Sequence, residues 1–201
     1  MYAREKVLKQ PPKIPGFPLN ILNDKKLILV TGHRRESFGK PFEEFCYALR
    51  EIVSEVEDVV IVYPVHLNPN VQKPVSRILG DQDSIFLIDP VEYLPFVYLM
   101  QKSHLIISDS GGIQEEAPSF GVPVLVTREV TERQEAIEAG TAILVGTNRE
   151  NIVNNSIKLL SEERAQKSDS GYSNPFGDGT ASMKIVEILF QEISGGKDGK
   201  G

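Results

Sequence analysis

The chain has 201 residues, of which 40% are hydrophobic and 25% are charged, a balance typical of a globular protein with one large domain. Acidic residues outnumber basic ones by 28 to 22, and the net charge of −6 argues against a nucleic-acid binder or a membrane-surface binder, which would carry a basic excess. Cys46 is the only cysteine and no apolar run approaches the roughly 20 residues that span a bilayer, so an intrachain disulfide and a membrane span are excluded and a cytoplasmic protein is expected.

Residues 1–25 are predicted to be the remnant of a hinge helix followed by a proline-rich linker. The stretch "YAREKVLK" (2–9) has helical propensity, but no N-cap precedes it and Pro11 and Pro12 end it. Residues 11–26 hold four of the thirteen prolines of the chain. We therefore expect one folded domain over residues 26–193, and a flexible polar tail over residues 194–201.

Beyond residue 25, apolar strands alternate with helices. The six predicted strands are "KLILVT" (26–31), "VVIVYPV" (59–65), "SIFLID" (84–89), "LIISDS" (105–110), "VPVLVT" (122–127) and "TAILVG" (141–146). The predicted helices are "KPFEEFCYALREIVSEV" (40–56), "NVQKPVSRIL" (70–79), "EYLPFVYLMQKS" (92–103, interrupted by Pro95), "GIQEEAPSF" (112–120), "ERQEAIEAG" (132–140), "RENIVNNSIKLLSEE" (149–163) and "ASMKIVEILFQEI" (181–193). Because the strands are apolar throughout rather than in alternation, the pattern predicts an α/β fold with a doubly wound, Rossmann-like parallel sheet.

Polar side chains follow five of these strands. The polar stretches are "TGHRRE" (31–36), "VHLNPN" (65–70), "DPVEYLPF" (89–96), "SDSGGIQEE" (108–116) and "REVTERQE" (128–135). Ligands of doubly wound sheets bind beyond the carboxyl ends of the strands, where these stretches are expected to meet. The sequence therefore predicts a ligand site along that edge of the sheet.

The stretch "SDSGGIQEE" is the most informative of the five. Ser110, Gly111 and Gly112 stand between a strand and a helix, where small residues let backbone N–H groups approach an anion. Glu115 and Glu116 follow, and a carboxylate there either accepts hydrogen bonds from a ribose or complements the helix dipole. Taken alone, the stretch is more often an ordinary tight turn with a capping charge, but the other polar strand ends favour binding.

His33 follows a glycine at the end of the first strand. An imidazole with an ordinary pKa of roughly 6.5 is suited to pairing with a phosphate or to moving a proton, and packing or capping is the alternative. Arg34 and Arg35 have the geometry to bind phosphate, although pairing with Glu36 is the commoner fate of a surface arginine.

Three further residues are weighed in the same way. His66 precedes an Asn-Pro turn and is either a ligand contact or a turn-stabilising residue. Arg133 lies near a helix start, where an anion contact and a salt bridge are both reasonable. His104 opens a strand and is expected to be structural.

Other chemistries have little support in the sequence. No Cys–His or His–His spacing indicates a metal site, and Cys46 lies on an apolar helical stripe as a core residue would. The G-x-S-x-G, Walker A and G-x-G-x-x-G motifs do not occur, so no nucleophile elbow, P-loop or nicotinamide site is predicted. We expect neither a metal nor a cofactor.

Six stretches of this sequence carry a resemblance to a known family; they are "TGHRRESFG", "VYPVHLNPNV", "IDPVEYLPF", "SDSGGIQEEAPSFGVPVLV", "TERQEAIEAGT" and "NPFGDGTAS". Together they resemble the C-terminal half of the bacterial non-hydrolysing UDP-N-acetylglucosamine (UDP-GlcNAc) 2-epimerases. The resemblance covers about residues 1–190 in order and spacing. It implies a glycosyltransferase-B-like fold, in which a nucleotide sugar lies between two Rossmann-like domains. It also implies interconversion of UDP-GlcNAc and UDP-ManNAc by elimination and re-addition of UDP.

The resemblance assigns roles to specific residues. Those implied to bind UDP are Phe96 for the uracil region, Ser110, Gly111 and Gly112 for the diphosphate, Glu116 for the ribose, and Arg133 to complete the anion site. His33 would be the catalytic-cleft residue near the diphosphate. Arg34 and His66 match positions of a second, activating UDP-GlcNAc site. A homodimer of the full-length protein, without nucleic-acid or membrane partners, is also implied.

This sequence departs from the family pattern at two positions and in one whole half. Val91 stands where relatives often carry glutamine, which puts a uridine hydrogen bond in doubt. Gln134 replaces a usual proline, which would loosen the helix start near Arg133. Nothing here corresponds to the N-terminal half that supplies the acidic proton-transfer residues, so we expect this chain to bind UDP without epimerising it. A glycosyltransferase-B-type nucleotide-sugar domain and a non-catalytic UDP-binding module are the alternatives.

Overall fold

The sheet is the centre of the fold, and the computed structural model describes residues 2–32, 38–162 and 174–195 of the chain. All the strand pairs are parallel, and the order across the sheet is β3-β2-β1-β4-β5-β6. The strands are β1 (Lys26–Thr31), β2 (Val59–Pro64), β3 (Ile85–Ile88), β4 (Ser103–Ser108), β5 (Val124–Val126) and β6 (Ala142–Leu144). The predicted α/β, doubly wound parallel sheet is confirmed.

Helices connect the strands and cover both faces of the sheet. Within the described residues they are α1 (Tyr2–Lys9), α2 (Lys40–Glu55), α3 (Pro69–Leu79), α4 (Tyr93–Lys102), α5 (Gly111–Glu116), α6 (Gln134–Glu138), α7 (Arg149–Ser161) and α8 (Ala181–Gly195), with 3-10 turns at Leu19–Asn23 and Ala117–Phe120. The predicted interruption at Pro95 is wrong, because α4 runs through it. Pro95 is the third residue of α4, and a first-turn N–H has no acceptor within the helix to lose.

The central strands are buried on both faces, which explains their unbroken apolar sequence. On β1, Ile28 and Val30 pack with α2, α3 and α7, while Leu27 and Leu29 pack with α1 and α4 on the other face. All four side chains are fully buried. Successive strand residues point to opposite faces, so a strand between two helical layers needs an apolar residue at every position.

Residues 2–25 pack on the domain, which a free linker would not do. Val7, Ile14 and Phe17 are buried in the core on the α4 face, and the Phe17 ring meets Phe86 of β3 edge-on at 5.1 Å between centroids. Helix α1 lies against α4. The proline-rich composition obscured this packing and the 3-10 turn, and the hinge role and the boundary at residue 26 stay predictions.

Helix α8 has a different environment from the other long helices. Seven of its large apolar side chains are 49% to 68% exposed; they are Met183, Ile185, Val186, Ile188, Leu189, Phe190 and Ile193. The tail expected from residue 194 is described only to Gly195, where α8 ends. None of the described helices combines the length and apolar character that crossing a membrane would require.

Candidate functional site

The switch point of the sheet lies between the neighbouring strands β1 and β4. The helices that follow them cover opposite faces, since α2 packs on one core and Ile113 of α5 on the other. At the carboxyl ends of the two strands the Thr31 and Ser108 hydroxyl oxygens lie 2.6 Å apart in a hydrogen bond. Doubly wound sheets generally bind their ligands at this switch point, where the strand-end pattern predicts a ligand site.

The end of β1 is fixed from beneath by Tyr63. Its side chain is fully buried, and its hydroxyl donates to the Gly32 carbonyl oxygen at 2.8 Å. Burial raises the pKa of the Tyr63 phenol well above its ordinary value, so the hydroxyl remains a donor. The predicted residues His33, Arg34 and Arg35 follow directly and lie outside the described residues.

The turn after β4 is ordered by the Ser108 hydroxyl, which accepts the backbone N–H of Ser110 at 3.0 Å. Gly111 and Gly112 then begin α5, and neither has a positive φ. A β-carbon on Gly111 would lie 3.2 Å from the guanidinium carbon of Arg133, whereas one on Gly112 would meet only Ser110 Oγ at 3.9 Å. A side chain at position 111 would therefore be crowded by Arg133, and the backbone angles of Gly111 place no demand for glycine.

Arg133 reaches this turn from the β5–α6 loop, residues 127–133. Its Nε and Nη2 both lie 2.7 Å from Glu115 Oε1, and its Nη1 is 3.9 Å from Glu132 Oε2. The salt bridge weighed for Arg133 is therefore present, and the anion contact stays a prediction. An arginine held along one edge keeps donors free on the other.

Buried polar side chains join the two loops, and the sequence interpretation overlooked them. Gln114 is fully buried; its Nε2 donates to the Ser110 carbonyl oxygen at 3.2 Å, and its Oε1 accepts the Thr131 hydroxyl at 2.7 Å. The Thr131 oxygen in turn accepts the backbone N–H of Arg133 at 3.1 Å. The only hint of this contact in the sequence was a glutamine that follows the apolar Ile113 on a short predicted helix.

Gln134 also contributes to the order of this loop. Its Nε2 donates to the Thr131 carbonyl oxygen at 2.8 Å, a bond that the usual proline could not make. The expected loosening of the helix start is thus opposed by a side-chain bond. Nearby, the largely buried Arg128 donates two hydrogen bonds of 2.8 and 3.0 Å to the Glu132 carboxylate.

Glu116 lies one helical turn beyond Gly112 and contacts Tyr93 of α4. The Tyr93 hydroxyl donates to its Oε2 at 3.1 Å. Partial burial, followed by the Glu116 charge and hydrogen bond, raises the pKa of Tyr93. Both side chains line a cavity of about 740 Å³, closed on the far side by residues 174–179. The carboxylate thus faces open space, as a ribose contact would require.

The segment at the far side of that cavity is internally bonded. Asn174 Nδ2 donates to Ser119 Oγ at 2.8 Å, and its Oδ1 accepts the Phe176 N–H at 2.9 Å. Hydrogen bonds from Thr180 lower the pKa of Asp178 to about 2. The stretch "NPFGDG" is therefore attached to the end of α5 and borders the space in front of Glu116.

Phe96, predicted for the uracil region, is half-buried on α4 against the core of that face. A second cavity of about 840 Å³ opens beside the β3–α4 loop and is lined by Val91 and Pro95 among others, whereas Tyr93 and Val97 line the first cavity. Phe96 thus lies on the helix that separates the two cavities. The structure does not place it on the wall of either.

The remaining histidines and the cysteine have simple environments. His66 is exposed after β2, where its Nδ1 accepts the Asn68 N–H at 3.1 Å, so the turn-stabilising role has a bond to support it. His104 is half-buried within β4. Cys46 is buried in the core, as predicted, and desolvation raises the pKa of its thiol to about 12.

Similarity to known proteins extends over this entire arrangement. A family model described as UDP-N-acetylglucosamine 2-epimerase matches residues 2–190. The UDP-N-acetylglucosamine 2-epimerase of Escherichia coli K12 is 59% identical over 166 residues, which are 83% of this chain and 44% of the relative.

Two solved structures are similar in sequence and fold. The S. aureus MnaA–UDP complex has a TM-score of 0.81 at 42% identity over 96% of this chain and 53% of the other. The UDP-GlcNAc 2-epimerase of Neisseria meningitidis bound to UDP-GlcNAc has a TM-score of 0.75 at 43% identity over 93% and 49%. The chain thus spans about half the length of these proteins, and it belongs to the UDP-N-acetylglucosamine 2-epimerase family.

Proposed function

We propose that this chain provides the UDP-binding half of an enzyme that interconverts UDP-GlcNAc and UDP-ManNAc. One observation carries the proposal: Arg133, from the loop after β5, lies against Gly111, which follows the neighbouring strand β4. Ser110 and Gly112 flank that contact. Relatives of the same fold whose structures contain UDP or UDP-GlcNAc support this ligand class.

The chemistry requires a site that stabilises departing UDP. Elimination removes the proton from C2 of the sugar and breaks the C1–O bond, so the electron pair of that bond leaves on the diphosphate. Re-addition of UDP to the glycal-like intermediate, with protonation of C2 on the opposite face, gives the epimer. Arg133 and the backbone N–H groups of Gly111 and Gly112 would stabilise the charge that develops on the diphosphate.

The nucleoside end would lie along α4 and α5. Glu116 would accept the ribose hydroxyls, with the Tyr93 hydroxyl holding one carboxylate oxygen in place. Phe96 would contact the uracil from its position between the two cavities. Because Val91 cannot replace the side-chain bond of a glutamine, the base would be held more by contact area and backbone groups than by side-chain hydrogen bonds.

The remaining roles complete the proposal. His33 would act in the cleft near the diphosphate, and general acid–base groups for C2 would come mainly from the half of the family that this chain does not match. Arg34 and His66 would contact an activating second UDP-GlcNAc. The complete enzyme would be a cytoplasmic homodimer, a location that agrees with a chain having one buried cysteine.

Calorimetry with UDP, together with an assay for UDP-ManNAc formation, tests the proposal. The chain should bind UDP and show no turnover alone, and turnover should require a polypeptide that carries the other half. During turnover the C2 hydrogen should exchange with deuterium from solvent, since glycosyl transfer leaves that hydrogen in place. Failure to bind UDP would contradict the proposal, and turnover without C2 exchange would favour the glycosyltransferase alternative.

A further inference from the structure

We propose that Gln114 and Thr131 are positioning residues that hold Arg133 at the diphosphate end of the site. The inference rests on the proposed function and deepens it, because neither residue is expected to touch UDP. They would act by fixing the distance between the turn at Ser110 and the loop that carries Arg133.

The connection consists of three consecutive hydrogen bonds. Gln114 donates to the Ser110 carbonyl oxygen at 3.2 Å and accepts from the Thr131 hydroxyl at 2.7 Å, and Thr131 accepts from the Arg133 backbone N–H at 3.1 Å. The direction of each bond also determines the direction of the next one. The single hydroxyl proton of Thr131 goes to Gln114, which leaves its oxygen as the acceptor for Arg133.

The Gln114 amide has one suitable orientation. Reversing its oxygen and nitrogen would set its oxygen against the Ser110 carbonyl oxygen and deprive the Thr131 hydroxyl of its acceptor. Gln114 is fully buried, with 0% solvent exposure, and Thr131 is 5% exposed. In a buried setting an unmade bond is costly, so the network favours one relative position of the two loops.

The ion pair with Glu115 does not account for the position of Arg133 by itself. The side chains of Arg133 and Glu115 are 34% and 42% exposed, and ion pairs of this exposure are weakened by water and salt. The pair orients the guanidinium, whereas the buried bonds fix the backbone from which that side chain extends. Because the Arg133 guanidinium lies only 3.2 Å from the β-carbon position of Gly111, a small shift of this backbone would change the contact at the site.

The test compares Thr131→Val, which removes the hydroxyl at constant shape, with Thr131→Ser, which keeps it. UDP, inorganic pyrophosphate and uridine are each titrated against the full chain, uridine by ligand-observed NMR. Thr131→Val should weaken UDP and pyrophosphate about fivefold, the range for a lost hydrogen bond, and leave uridine unchanged. Thr131→Ser should behave like the parent, and amide hydrogen exchange at Arg133 should accelerate only in Thr131→Val.

Gln114→Met is the second variant if Thr131→Val does not fold, and it should give the same ligand pattern. Equal weakening of uridine and UDP would assign a general structural role to the network, and unchanged UDP affinity would remove any role at the site; either result overturns the proposal. Failure of the parent chain to bind UDP is a separate result, seen before any variant is made, and it overturns the proposed function itself.

Discussion

The guanidinium of Arg133 lies in tight contact with the β-carbon position of Gly111, with 3.2 Å between that position and the central guanidinium carbon. The two residues belong to different connections of the sheet and are brought together only by the fold. This contact has a direct consequence for substitutions at either residue.

Gly111→Ala should weaken UDP binding about tenfold, the scale for a disturbed hydrogen bond to a charged group, because the methyl group displaces Arg133. Calorimetry measures the effect. The matched control is the same change in an Arg133→Ala background, where Gly111→Ala should alter UDP affinity by less than about twofold. A full penalty in both backgrounds would show that position 111 acts on the ligand directly and not through Arg133.

Glu116→Ala should weaken UDP binding by about 1.5–3 kcal/mol, the range for hydrogen bonds to a charged group. The physical reason is the loss of the carboxylate that would accept the ribose hydroxyls. Pyrophosphate, which has no ribose, should bind equally well to parent and variant. If UDP binds both proteins equally, Glu116 is a residue that orients Tyr93 and nothing more.

Tyr93 should ionise at higher pH than an ordinary tyrosine, whose pKa is about 10. Partial burial and the Glu116 carboxylate raise its pKa, so its hydrogen bond contributes fully below the unfolded-state pKa and is lost as pH rises through the folded-state value. Alkaline absorbance titration of the parent minus Tyr93→Phe isolates this group. In a Glu116→Gln background the pKa should fall toward its ordinary value, and an unchanged titration would mean that Glu116 contributes nothing to the shift.

The exposed apolar side chains of α8 should cause the chain to self-associate as its concentration rises, because seven large apolar side chains exposed on one helix are typical of an interaction surface. Phe190→Lys with Ile193→Lys should reduce the association in sedimentation experiments without lowering the melting temperature, since both side chains are more than 60% exposed. Val130→Lys is the control: Val130 is 69% exposed but stands outside α8. Association that persists in the α8 variant would locate the contact elsewhere.

The sequence was sufficient for the six parallel strands, and insufficient for the contacts among the residues at their ends. Buried strands such as "KLILVT" are apolar at each inner position, so they can be recognised from a few consecutive residues of the sequence. The importance of Gln114 depends on Thr131, which is distant in sequence, and no local pattern reports such a partner. Proline content similarly masked Ile14 and Phe17, whose burial depends on β3 and α4.

That burial bears on how the protein is made. Residues 2–25 are synthesised before the surfaces that cover Val7 and Phe17, which include Phe86 and α4. Until those residues emerge, the apolar side chains of the N-terminal segment have no place to pack. Residues 2–25 therefore reach their native position only after β3 and α4 have been synthesised.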